Sequence, residues 1–346
     1  MTITPTRYER REFIWYTPAG ASRTEYEDLT VHQQSSPLHY AVQGWAISFP
    51  DGSPPQSPGS TAVRSGDWYD FRDPEKVLDR TWVSTTSEIS QSFRRLVDSG
   101  TAGGQLANSS KSWLHDGLAR HLAVYPFVDY SHFVALAYAE RQALSDTTTI
   151  PAVFEAADKL RHVQDAVYLS LRLDELGLAP RPPDLQRAWL TSPVWQGVRA
   201  ASEQLLASQD WVENLVAINL VFDQLVGRLF RVEYLSRFAS AFGDMVTPLL
   251  VSTWLPDVAR SWSWTTALVR FLADDQRHGA HNREVIASWF ERWFALAGTA
   301  AERLAPLFRA PGGPTDFEQA WSGVRRRHQE LLWTAGIADV AGVVVQ

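Results

Sequence analysis

The stretch PAVFEAADKLRHVQDAVYLSLRLDEL, residues 151–176, decides the fold class of this chain. Pro151 suits the first turn of a helix, and Gly177, directly after the stretch, suits its end. Between them a stripe recurs at spacings of three and four, the period of an amphipathic helix. Its members are Val153, Ala157, Leu160, Gln164, Val167 and Leu171. The stretch therefore predicts a long helix that begins near Pro151.

Similar stripes occur on both sides of this helix, and no strand-like alternation of any length accompanies them. They predict helices over residues 127–144, 193–206, 211–242 and 264–294, and a shorter one over 316–332. Several helices of four or more turns form a bundle, so the predicted fold class is all-α. We expect the bundle over residues 90–310 and a C-terminal helix with a tail over residues 311–346.

Residues 1–89 form a different kind of segment, rich in turn signals and without a helical period. Their aromatic content argues against disorder, and a long irregular loop inside a compact domain is unusual. We therefore expect an irregular N-terminal arm that lies on the helical body or, as the favoured option, on a partner subunit. The candidate interface residues are Trp15, Tyr16, Trp45, Trp68, Tyr69 and Phe71.

The composition excludes several classes of protein. The 346 residues include no cysteine, which excludes disulfides, thiolate metal sites and cysteine nucleophiles and fits a cytoplasmic location. A net charge of -7 argues against nucleic acid and against an anionic membrane surface as partners. No apolar run approaches the roughly 20 residues that span a bilayer. The N-terminus lacks the apolar core of a signal peptide, and no Gly-x-Ser-x-Gly nucleophile motif occurs.

Two short motifs that end in Arg-His carry the candidate chemistry: Asp158-Lys159-Leu160-Arg161-His162 and Asp274-Asp275-Gln276-Arg277-His278. Four-helix diiron proteins place a Glu-x-x-His pair on two helices and a lone Glu on each of the other two. Asp275 stands in the carboxylate position before His278, whereas Lys159 stands in that position before His162. A protonated lysine has no lone pair for a cation and repels one.

Each motif also has a plainer interpretation. Either histidine, taken alone, fits a packed or surface position on a helix. Asp274-Asp275 also fits a solvated acidic turn or, less well, an aspartate-rich magnesium motif of terpenoid synthases, whose downstream partner motif is missing. The run Arg325-Arg326-Arg327-His328 fits an exposed basic face.

The two motifs resemble those of bacterial multicomponent monooxygenase hydroxylases, the methane, phenol, toluene, alkene and propane enzymes. Further stretches carry the resemblance to their small (beta) subunit: Val128-Asp129-Tyr130, DWYDFRDP at 67–74 and GDMVTP at 243–248. The resemblance covers roughly residues 10–293. It implies a ferritin-like bundle without a functional metal centre, because the large (alpha) subunit of these enzymes carries the diiron centre.

The large subunit's six ligand positions can be carried over to this sequence. They fall on Asp129, Lys159, His162, Asp223, Asp275 and His278, which we interpret as vestigial diiron positions. Three glutamates are then shortened to aspartate and one is replaced by lysine. The shorter side chains withdraw each oxygen by about one bond length, more than metal–ligand distances tolerate. Lys159 can instead pair with the aspartates in an internal ion cluster.

The function that the resemblance implies is a structural subunit with no catalytic residue, metal or cofactor of its own. Its partners would be the large diiron subunit, an effector protein and an NADH reductase, with a gamma subunit left open. The complex would insert one atom of O2 into a hydrocarbon, a small alkene or alkane being slightly favoured. The alternatives are an independent diiron oxidase or oxygenase with an Asp-rich site and an all-α interaction protein unrelated to oxygenases.

Overall fold

The computed structural model describes residues 16–33, 48–49, 52–178 and 181–343. In these ranges the regular structure is helical and no strand occurs, which confirms the all-α prediction. The numbered helices, in chain order, are α1 (Glu25–Thr30), α2 (Asp79–Ala102), α3 (Pro126–Gln142), α4 (Asp146–Arg172), α5 (Pro182–Thr191), α6 (Pro193–Ala207), α7 (Trp211–Leu215, continued through Val216–Gly227 and Leu229–Ser236 to Arg237–Ala241), α8 (Val246–Ala273), α9 (Gly279–Leu304) and α10 (Phe317–Thr334). A π-helical segment, Trp113–Leu122, lies between α2 and α3.

The bundle is built around α3, α4, α7 and α8. α3 and α4 form a helical hairpin because only three residues separate them, and short connections make neighbouring helices antiparallel. The middle of α7 is π-helical, a wider turn that recurs at functional sites. α9 packs on α6 and α7, and a Cβ at Gly197 would lie 2.8 Å from the Cα of Ala300, so only glycine allows this approach. None of the described helices is both long and apolar enough to cross a bilayer.

The start of α4 differs from the prediction. The helix begins at Asp146, and Pro151 lies inside it. The carbonyl oxygen of Ser145 accepts hydrogen bonds from the backbone N–H groups of Thr148 and Thr149, at 3.0 and 2.9 Å, which closes the first turn before the proline is reached. The predicted end is confirmed, since Gly177 follows a short 3₁₀ turn with φ of +69°, a left-handed conformation that favours glycine.

The predicted helix over residues 264–294 is wrong, because the chain turns between α8 and α9. The Asp275 side chain caps this turn by accepting hydrogen bonds from the backbone N–H groups of Arg277 and His278, each at 2.8 Å. Gly279 then begins α9. Apolar residues continue at helical spacing on both sides of this five-residue turn, so periodicity alone does not detect it.

The arm ends earlier than residue 89, because α2 already begins at Asp79. Before α2, residues 60–73 form an irregular strap across one end of the bundle. Backbone groups of Arg64 exchange two hydrogen bonds with the Asn282 side chain, at 2.8 and 2.7 Å. The N–H of Gly66 donates to Asp275 at 2.8 Å. The strap is therefore fastened to the body of its own chain.

The predicted interface aromatics divide accordingly. Tyr16 and Phe71 are buried within this chain, Phe71 against Phe271, so the structure corrects their assignment as partner contacts: their burial leaves no surface for a second chain. Trp68 and Tyr69 are half-buried, and their partner contact stays a prediction. Trp15 and Trp45 lie outside the described residues.

Asp244, in the GDMVTP stretch, fixes the start of α8. Its carboxylate is fully buried and accepts four hydrogen bonds, from Trp113 Nε1 at 2.9 Å, the Val246 N–H at 2.8 Å, and the Thr247 N–H and hydroxyl at 3.0 and 2.5 Å. We expect Asp244→Ala to lower the free energy of unfolding by about 3 kcal/mol, since it removes a cap and orphans a buried indole N–H.

Urea unfolding measures this change. The matched control is Asp316→Ala. Asp316 is exposed and accepts one capping hydrogen bond from the Gln319 N–H at 2.8 Å, so its removal should lower the free energy of unfolding by about 1 kcal/mol. Equal losses in the two variants would contradict a special role for Asp244.

Candidate functional site

Four of the six predicted positions lie together in the core of the bundle. Asp129 comes from α3, Lys159 and His162 from α4, and Asp223 from the π-helical part of α7. Their exposed fractions are 2% or less. Fully charged side chains are rarely buried unless they are paired. The arrangement is therefore an ion cluster whose pairing has to be accounted for group by group.

Asp223 is the centre of this cluster. Lys159 Nζ donates to its Oδ2 at 2.5 Å, and Arg231 Nη2 donates to its Oδ1 at 2.7 Å. Burial would raise the pKa of Asp223, but Lys159 and then Arg231 outweigh it and hold the pKa well below its usual range. Gly227 makes room for this contact, since a Cβ there would lie 2.5 Å from Arg231 Nη2. Asp223 is thus ionised and shared by two cations.

A second set of charges surrounds His162. Its Nε2 lies 2.9 Å from Asp257 Oδ2, and the Arg161 guanidinium also donates to Asp257. Burial lowers the pKa of His162 to about 3, so the ring is neutral at physiological pH and donates its Nε2 proton. Arg260, one turn beyond Asp257 on α8, pairs with Asp158. Asp158 also accepts from Trp82 Nε1 at 3.2 Å.

Asp275 and His278 do not join the cluster, and the prediction that they form an inward-facing helical pair is wrong. Both lie in the turn between α8 and α9, where Asp275 caps the turn and holds the strap. The i, i+3 pair that α8 directs toward the cluster is Asp257 and Arg260, which lie 3.5 Å apart. A search at the Glu-x-x-His spacing that also accepted aspartate in the first position and arginine in the second would have found this pair.

Asp129 differs from the other acids because neither of its carboxylate oxygens has a hydrogen-bond partner among the described residues. Its Oδ2 lies 3.9 Å from His162 Nδ1, too far for a direct hydrogen bond. Burial raises the pKa of Asp129 to about 6, against a smaller opposing effect of Lys159. Burial likewise raises the pKa of Glu155 to about 7, although Glu155 accepts from Asn219 and Trp264 at 2.9 and 3.0 Å.

These residues do not fit a diiron centre. Two irons need carboxylate and imidazole lone pairs directed at one place. Here the Asp223 oxygens are taken by an ammonium and a guanidinium group, and His162 Nε2 donates to Asp257. In the described ranges, no group of three or more His, Cys, Asp or Glu side chains is arranged to hold a metal ion.

Comparison with known proteins gives the family. A family model described as methane/phenol/alkene hydroxylase matches residues 45–276, well over half of the chain. The chain belongs to this hydroxylase family. The resemblance predicted from the two motifs and the accompanying stretches is confirmed.

The relatives of this hydroxylase-family chain include small and beta subunits. It is 31% identical to the small subunit of the propane 2-monooxygenase hydroxylase component of Rhodococcus jostii (strain RHA1), over 94% of this chain and 89% of the relative. The protein of the same name from Gordonia sp. (strain TY-5) is 30% identical, over 87% and 82%. The methane monooxygenase component A beta chain of Methylosinus trichosporium is 27% identical, over 87% and 78%.

Solved structures of hydroxylases share the fold of this hydroxylase-family chain. Phenol hydroxylase from Pseudomonas sp. OX1, pressurised with xenon, aligns with a TM-score of 0.76 at 20% identity, over 91% of this chain and 90% of that one. Toluene 4-monooxygenase hydroxylase with bound toluene aligns with a TM-score of 0.69 at 24% identity, over 82% and 94%. The predicted ferritin-like fold is confirmed.

The unpartnered carboxylate of Asp129 gives a pH-dependent prediction. Its folded pKa of about 6 exceeds the ordinary value of about 3.9, so its contribution to stability is fully present below pH 4 and is lost as the pH rises through 6. Asp129→Asn cannot ionise at this position. We expect its free energy of unfolding, relative to that of the unmodified chain, to rise by up to about 3 kcal/mol as the pH rises from 4 to 7.5.

Urea unfolding at the two pH values measures this difference. Asp223→Asn is the contrasting variant, because the depressed pKa of Asp223 makes its carboxylate stabilising above its ordinary pKa. Its loss of stability should therefore be nearly the same at pH 4 and pH 7.5, because the contribution of Asp223 is lost only as the pH falls below about 4. If the effect of Asp129→Asn on the free energy of unfolding did not depend on pH, the pKa of Asp129 would not be raised in the folded chain.

Proposed function

We propose that this chain is the non-catalytic, structural subunit of a diiron hydroxylase, and that its own vestigial metal site is occupied by protein cations. The observation that carries the proposal is the pairing of Asp223 with both Lys159 and Arg231. The positive charge that a metal would supply to this carboxylate is already covalently part of the chain.

The replacement extends to the fourth helix. We infer that Asp257 and Arg260 stand where the family pattern has its second Glu-x-x-His pair, because Asp257 is an α8 carboxylate that contacts the His162 ring nitrogen. Arg260 is a permanent cation without a lone pair and cannot ligate iron. Asp129, His162, Asp223 and Asp257 would then be the ligand positions that kept a residue type able to bind metal, and their lone pairs serve other contacts or none.

The outer surface of the α3–α4 hairpin supports a large helical partner. The apolar stripe predicted for α4 faces outward: Val153, Val167 and Leu171 are 38%, 43% and 65% exposed, while the charged residues of α4 between them are buried. On the neighbouring α3, Tyr130 and Val134 are also exposed. Contiguous exposed apolar side chains on a stable helix mark an interface.

We therefore propose that the large (alpha) hydroxylase subunit covers this α3–α4 surface, in addition to any contact of the arm. The diiron centre would belong to that subunit, and an effector protein and an NADH reductase would complete the system. Four relatives at 30% or 31% identity are named for propane, which favours a small alkane as the substrate of the assembly. The absence of cysteine fits a reducing compartment such as the cytoplasm.

Iron analysis tests the non-catalytic assignment. We expect the full chain, purified alone after production in iron-rich medium, to contain well under one iron per chain and to consume no O2 with a chemical reductant. The complex with the large subunit should contain the same iron per complex whether this chain carries Lys159 or Lys159→Met. About two irons and O2 consumption in the isolated chain would establish the alternative, an independent diiron oxidase.

A charge on the α3–α4 surface should weaken the complex without unfolding the chain. We expect Leu171→Glu, or Val167→Glu, to raise the Kd for the large subunit at least tenfold, because burial of an unpaired carboxylate at an apolar contact is costly. Leu206→Glu on α6 is the control, since Leu206 is exposed to a similar degree as Val167 but lies outside this surface. Calorimetric titration measures the Kd, and thermal unfolding checks the fold. Equal Kd values for all variants would place the interface elsewhere.

A further inference from the structure

A second surface, separate from the α3–α4 hairpin, lies between α9 and α10. The two helices flank an open groove of about 1630 Å³. Its floor is apolar and aromatic, with Leu225, Phe294 and Trp321 as its main side chains, and Trp333 stands half-exposed at one end. His328, also in the floor, is satisfied by the Leu220 carbonyl oxygen at 2.7 Å and needs no ligand.

The two walls of this groove carry opposite charge. The α9 wall contributes three glutamates, Glu284, Glu291 and Glu302, and the α10 wall is net positive, with Arg325 and Arg326 against the single Glu330. All six side chains are exposed, and among the described residues no ion pair joins one wall to the other. Arg325 lies over the Trp321 ring, at 5.8 Å from its centroid. An occupant of the groove thus meets an apolar floor, an acidic wall and a basic wall.

The dimensions suit a helix. Glu284 and Glu302 are eighteen positions apart on α9, which corresponds to about 27 Å along the axis. Between them the α9 wall has small residues, Ala287, Ser288 and Gly298, which let another helix approach closely. A polyanion such as nucleic acid or a phospholipid surface would be repelled by the three glutamates.

We propose that the α9–α10 groove binds an amphipathic helix of another protein, with one basic and one acidic edge beside its apolar stripe. The apolar stripe covers Phe294, Trp321 and Trp333, the basic edge pairs with the glutamates of α9, and the acidic edge pairs with Arg325 and Arg326. In complexes of this kind, apolar side chains at helical spacing anchor the helix in the groove, and charged side chains along its edges determine which partner binds. The inference does not depend on which subunit covers the α3–α4 surface.

Three designed helical peptides with the same leucine stripe test the groove in the full chain. One has a lysine edge and a glutamate edge, the second has lysine on both edges, and the third has glutamate on both. By fluorescence anisotropy, the mixed-edge peptide should bind at least tenfold more tightly than either of the others. A helix that binds in the opposite direction presents each of its edges to the other wall. A peptide with the two edges exchanged would therefore not be a useful control, and peptides with two identical edges are used instead.

Variants of the walls make the test specific. Arg325→Glu combined with Arg326→Glu makes both walls acidic, and the preference should then pass to the peptide with two lysine edges. Trp333→Glu should weaken the mixed-edge peptide at least tenfold, whereas Leu171→Glu on the α3–α4 surface should leave its Kd unchanged. The proposal is overturned if no peptide binds, if all three bind equally, or if the double arginine variant keeps the original preference.

Discussion

The carboxylate of Asp223, held between the Lys159 ammonium and the Arg231 guanidinium, is the contact around which the bundle is organised. It joins α4 to α7 in the interior, where an unpaired charge would cost several kcal/mol. Two cations on one carboxylate leave an excess of positive charge. Burial raises the pKa of the neighbouring Asp129 to about 6 and of Glu155 to about 7, so at neutral pH Asp129 is still mostly ionised and offsets most of this excess. The core thus carries fixed protein cations in a fold whose relatives include hydroxylases.

The helical period predicted the fold class and most helices, and the broken Lys159–His162 motif led to four residues that do lie together. The second motif failed for a physical reason. Asp275 is three residues before His278, and that spacing serves two structures: a pair on one helix face, or a side chain that caps a turn by bonding the backbone N–H groups that follow. The pair that reaches the cluster, Asp257 and Arg260, ends in an arginine, which no metal-ligand pattern includes.

The apolar stripe of α4 predicted the helix but not the direction in which its apolar face points. Periodicity identified the apolar face correctly, yet that face points away from the core, and the face with Lys159, Arg161 and His162 points inward. The sequence of one subunit does not reveal this orientation. The rule that apolar residues face the core applies to the complete assembly, in which the apolar face of a subunit can be buried against a partner. Charges that satisfy one another can fill an interior, and the apolar face is then left for a neighbour.

The strap has a consequence for the order of folding. Its hydrogen bonds join Arg64 to Asn282, which is 218 positions later in the chain, and Gly66 to Asp275, 209 positions later. A contact over such a distance closes a very large loop, and synthesis proceeds from the N-terminus. The strap therefore leaves the ribosome long before its docking site exists. Phe71 therefore lacks its partner ring, Phe271, until α8 has been made, and Arg64 lacks Asn282 until α9 has been made, so the strap docks late in synthesis.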